Sequence, residues 1–165
     1  MPPLYFVNVT IHVLAAVLWL GGMFFLAAVG APVLRTVEPA ELRQRLFDAL
    51  GIGFRRVGWI AVAVLIVTGA INLRYRGYLY IDVLASAGFW RMPFGRTLAV
   101  KLVAVVAMIV IGIVHDFRLG PLAGNATPGS EEALRYRRQA AILARWTAFF
   151  GLIVLIAAVR LARGG

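Results

Sequence analysis

Five side chains set in apolar surroundings are of kinds that bind metal or carry charge, and with one tryptophan they fall into two stripes. Along the first apolar segment, Trp19 and Met23 follow His12 by seven and eleven residues. At 100° per residue these offsets return to one face of a helix. Further along, Met108 and His115 follow Lys101 by seven and fourteen residues, which also share a face. Imidazole and thioether together suit copper, above all Cu(I), and they suit the axial positions of a b-type haem. The same residues also have a packing reading. Methionine is a common filler of apolar gaps, and Lys101 lies close enough to a helix end to snorkel outward. His115 precedes Asp116 and Arg118, a setting in which an interfacial histidine is readily satisfied. His12 is less comfortable, because a buried imidazole needs a partner.

Depth sorts the stripes into two levels. With the first and third segments parallel and a rise of about 1.5 Å per residue, His12 lies about 12 Å below Leu4, level with the gap between Lys101 and Met108. Met23 lies about 28 Å down, level with His115. The expectation is an outer site at His12 and Met108 and an inner station at Met23 and His115. The two histidines, about 15 Å apart along the normal, are too distant to share one ion. The sequence has no Cys, no His/Glu/Asp cluster at metalloenzyme spacing, no phosphate-binding glycine loop and no Ser/His/Asp set. A hydrolase or a carboxylate-relay antiporter is therefore not expected.

The elements that must position these residues follow from composition. The chain has 165 residues, 62% hydrophobic and 15% charged. A soluble domain is nearer 45–50% apolar and about 25% charged. The fold class expected is all-α, an integral membrane four-helix bundle forming a single domain over 1–165. Its spans are expected at about 4–34, 57–73, 97–114 and 140–162, each able to cross a hydrocarbon core of about 30 Å. The N-terminus has no basic n-region, and the apolar run behind it is too long for a signal peptide, so it reads as the first span. Pro39 to Leu50 is expected to form a short surface helix, Tyr78 to Met92 an interfacial aromatic segment, and Leu119 to Gly129 a loop. Ser130-Glu131-Glu132 reads as the capped start of the last helix.

The formal net charge of +10 does not point to nucleic acid, because the arginines sit at the ends of apolar runs and the aromatics lie within those runs. Outside the spans, the first and third connections carry nine basic residues against six in the second connection and C-terminus. The positive-inside tendency then places both termini outside. Gly21-Gly22 and Gly69-Ala70 mark close helix contacts.

The run His12-Val-Leu-Ala-Ala-Val-Leu-Trp19-Leu-Gly21-Gly22-Met-Phe-Phe resembles the copper resistance protein D (CopD) group of bacterial membrane proteins. So do Val67-Thr68-Gly69-Ala70, Phe94-Gly95-Arg96-Thr-Leu-Ala-Val-Lys101-Leu102, His115-Asp116-Phe117 and Gly120-Pro121. The resemblance implies a bacterial inner-membrane protein that handles copper, by binding or transmembrane transfer, and that works with a periplasmic copper protein or an electron-transfer partner. A second resemblance, to HemJ-type protoporphyrinogen oxidases, rests on His12 ahead of Trp19 and on Lys101 early in the third span. It implies a b-type haem associated with the His12 and Lys101 positions. In a haem reading of these residues His12 is the expected axial ligand, with Lys101 or Met108 opposite or nearby, and interfacial arginines such as Arg96 are expected to meet the propionates. A third reading is a cofactor-free assembly factor. In the copper reading Trp19 shapes the helix contact, Lys101 tunes charge at the outer mouth, and a homodimer is expected from the small size of a four-helix unit.

Overall fold

The computed structural model describes residues 3–127 and 129–165. Among them there is no strand, and four helices are long and apolar enough to cross a membrane. These are α1 (Pro3–Arg35), α2 (Ala40–Tyr75), α5 (Pro93–Asn125) and α6 (Glu131–Ala162). Two short helices, α3 (Ile81–Ala85) and α4 (Ala87–Arg91), carry the aromatic connection between α2 and α5. The chain is a multi-pass membrane protein: Ile60, Val103, Val106 and Leu155 point outward, where a lipid-facing surface needs apolar side chains.

The helices are longer than the apolar runs, and two expected connections are helical. Pro39 to Leu50 does not form a separate surface helix but is the first third of α2, which runs unbroken from Ala40. No proline interrupts residues 40–75, and Gly51 and Gly53 are tolerated inside a helix anchored on both sides. The expected loop from Leu119 is likewise helical as far as Asn125. Pro121 cannot donate to the carbonyl four residues back, and a π-turn at His115–Leu119 widens the helix just ahead of it. A second π-turn, Leu26–Gly30, stands in the same relation to Pro32, and a third, Val17–Gly21, precedes Gly22. Ser130 does cap α6: its hydroxyl accepts from the Ala133 amide at 3.2 Å.

Packing pairs α1 with α2 and α5 with α6. Small residues set the approach, as expected where helices have no hydrophobic drive to associate within lipid. Gly22 faces the Phe54 ring, Gly58 faces the Trp19 indole, and Gly151 of α6 faces Leu20 and the Met108 methyl. Gly21 has no neighbour at its Cα face, so only one of the Gly21-Gly22 pair makes a close contact. At the end of the bundle holding both termini, Phe89, Phe94, Leu98 and Leu161 form a buried cluster capped by Tyr78 stacked on Phe94.

Candidate functional site

His12 sits inside a polar network linking α1 to α2. Its Nδ1 lies 2.7 Å from the Thr68 hydroxyl, which itself lies 2.6 Å from the Val64 carbonyl. A threonine hydroxyl has one proton, and the short contact to Val64 uses it. The imidazole must then donate from Nδ1 to the Thr68 oxygen, which leaves the Nε2 lone pair free. That is the arrangement found around metal-binding histidines, where the second nitrogen is fixed by a hydrogen bond. Gly69 leaves room for the ring, whose Cε1 would be 3.5 Å from a Cβ at that position. One turn before His12, Asn8 donates to the Thr68 carbonyl at 3.0 Å and to Asn72 Oδ1 at 2.8 Å.

Asn8, Thr68 and Asn72 are the residues that reading single stripes misses. The signal is present in the sequence as two polar pairs spaced i, i+4, Asn8/His12 on α1 and Thr68/Asn72 on α2. Such pairs on two apolar helices satisfy each other only when the helices are side by side.

The other expected site residues fall at several places. Lys101 on α5 is half-buried. Arg96 is exposed, five residues earlier on the same helix. Trp19 packs its indole edge on Gly58. Met108 is 1% exposed, with its methyl against Gly151 beside Leu20. Met23 is half-buried in the short helical stretch between two π-turns.

His115 belongs to a second network at the opposite end of the bundle. Its Nδ1 is 2.8 Å from Asp116 Oδ1, while Trp59 donates to Asp116 Oδ2 at 2.9 Å. Arg55 donates to the Asp116 carbonyl at 2.8 Å. The carboxylate is thus tied to both α2 and its neighbouring imidazole. Among the described residues no three His, Asp or Glu side chains come together as a metal cage. A metal or cofactor would therefore rest on single imidazoles with softer or external partners.

Comparison with known proteins identifies the family. The signature of the family described as copper resistance protein D matches residues 49–161, about two-thirds of the chain. The chain belongs to that family. The match covers most of α2, all of α5 and nearly all of α6, and so includes Thr68, Lys101, Met108 and His115, whereas His12 lies before it. A protein of Aquifex aeolicus (strain VF5), described as uncharacterized, is 28% identical over 152 residues, covering 92% of this chain and 87% of that one. No solved structure matches. CopD membership makes this a membrane protein linked to copper resistance.

Proposed function

We propose that this CopD-family protein handles copper within the membrane through imidazole and thioether side chains, with His12 Nε2 as the first ligand. The observation that carries the reading is the Thr68 hydroxyl, which holds Nδ1 and leaves Nε2 unprotonated. Met108 lies buried against Gly151 of α6, beside Leu20 of α1. It supplies a next soft donor, and Met23 and His115 supply donors at the far end. The arrangement suits stepwise transfer of Cu(I) better than storage, because weak sites with few ligands release what they bind. Orientation with both termini outside, in a bacterial inner membrane, would make His12 the outer station.

One observation favours a second reading. An ammonium at Lys101, near the start of α5 at the end of the bundle that also holds His12, repels a copper ion but attracts a carboxylate. In that reading His12 Nε2 would hold the iron of a b-type haem, and Lys101 and Arg96 would be available to its propionates. When bound, the haem would supply one-electron redox chemistry.

Lys101→Gln separates the two. In the copper reading it tightens Cu(I) binding to the detergent-purified protein, measured by competition with a Cu(I) chelator. In the haem reading the wild type shows a Soret band that shifts on dithionite reduction, and Lys101→Gln lowers its haem content. A colourless protein that takes up no copper overturns both.

A further inference from the structure

Opposite the His12 network, a cavity of about 1080 Å³ opens between the C-terminal end of α1, the first part of α2, the end of α5 and the start of α6. Arg35, Arg43, Arg55, Arg137, Arg138 and Arg145 line it, against two carboxylates, Asp48 and Asp116. Four helices contribute to the wall, so the charge is gathered by the fold and not by one basic run.

The guanidiniums are poorly compensated. Among the described residues Arg43 alone of the six has a carboxylate within ion-pair distance, Glu38 at 2.9 Å. Arg55 is oriented by the Asp116 carbonyl, and Arg137 by Gln44 Oε1 at 3.1 Å and by the Phe47 ring beneath it. Each of these two spends a donor on the protein and keeps others free, since a guanidinium has five. Arg145 projects from the part of α6 that begins the apolar run, where an unpaired cation is costly. A cluster of this kind calls for an anion with several acceptor oxygens, and phosphate matches the guanidinium fork.

The rest of the wall selects what carries the phosphate. Ala31, Ile52, Leu119, Leu134, Ala141 and Ile142 give it an apolar lining. The volume reaches the top of the range of roughly 300–1,000 Å³ usual for pockets that enclose a drug-sized molecule. A bare phosphate would leave most of this lining wet. We infer that the cavity binds the phosphate of an anionic phospholipid, with the arginines on the headgroup and the apolar wall against the first part of an acyl chain. Basic pockets between membrane helices take anionic headgroups in this way.

The test uses the full chain, delipidated into a neutral detergent, with phosphatidylglycerol as the probe and phosphatidylcholine as the uncharged comparison, followed by native mass spectrometry. The wild type should retain phosphatidylglycerol in preference to phosphatidylcholine. Arg138 and Arg145 are exposed and bond no other side chain among the described residues, so Arg138→Gln with Arg145→Gln leaves the packing intact. Loss of two headgroup arginines should weaken phosphatidylglycerol binding about 30-fold. The control pair Arg91→Gln with Arg96→Gln, at the other end of the bundle, should leave it unchanged. Equal retention of the two lipids overturns the proposal, as does an equal loss in both variant pairs. Displacement of the lipid by millimolar inorganic phosphate would reassign the cavity to a small anion and overturn the lipid assignment.

Discussion

His12→Ala is expected to abolish copper binding by the purified protein, and Thr68→Val is expected to weaken it by about 10–100-fold. The graded pair is what distinguishes a ligand from a residue that merely fixes helix register. Alanine removes the donor atom. Valine keeps the shape of threonine but removes the oxygen that accepts from Nδ1, so the ring is free to turn and to take the other tautomer. Thr68 touches no ion itself; it is a positioning residue for His12. The measurement is a Cu(I) competition titration on both variants, with helical content by circular dichroism as the check on folding. Unchanged affinity in a folded His12→Ala protein sinks the proposed site. Equal losses in the two variants would reduce the network to a helix-packing device.

The largest effect on stability is expected at Gly95. A methyl added there would collide with the Phe89 carbonyl oxygen, and it would lie 2.8 Å from the Phe89 carbonyl carbon and 3.0 Å from the Trp90 Cα. These are backbone atoms and cannot swing aside. The α4–α5 junction would have to open, unstacking Tyr78 from Phe94 and loosening the buried cluster around Leu98 and Leu161. Overpacking of a core costs about 1–3 kcal/mol, and Gly95→Ala should lie at or above the top of that range. Gly53→Ala is the matched control. Its Cβ would meet nothing within 4 Å, inside the long helix α2. Alanine there should be neutral or stabilising by up to about 1 kcal/mol, because it removes freedom from the unfolded chain. Thermal unfolding in detergent, followed by circular dichroism, reads both. A similar loss in the two variants would mean that the Phe89–Gly95 approach is not what limits the fold.

Hydropathy alone was enough to recognise four membrane helices, because in lipid every backbone donor needs an internal partner and length then defines a span. It was not enough to end them. Pro39 to Leu50 and Leu119 to Asn125 are too polar, or too rich in Gly and Pro, to read as parts of long helices. Both continue as helix because neighbouring helices give them a partner. Gln44 of α2 donates to the Gly124 and Ala126 carbonyls at the end of α5, at 3.0 and 3.2 Å, and accepts from Arg137 of α6. Such a contact joins residues about eighty positions apart, and no local pattern contains it.

The sequence by itself determined the class of the protein, the number of its spans and the identity of His12 as the residue whose burial asks for an explanation. An imidazole in an apolar run is costly wherever the chain folds, so its importance could be read before any contact was known. The tertiary structure supplied its partner. Only the packing of α1 on α2 brings Thr68 to Nδ1 and so selects the nitrogen left free. Met108 is buried against Gly151 by the separate packing of α5 on α6. The arginines show the same division. Their number and their place at helix ends are properties of the chain, but a cavity that gathers six of them exists only because four helix ends meet there. Charge and hydropathy are local quantities that a sequence carries openly. Tautomer and enclosure depend on which helices touch, and those follow from small residues such as Gly58, Gly69 and Gly151 meeting specific partners across the bundle.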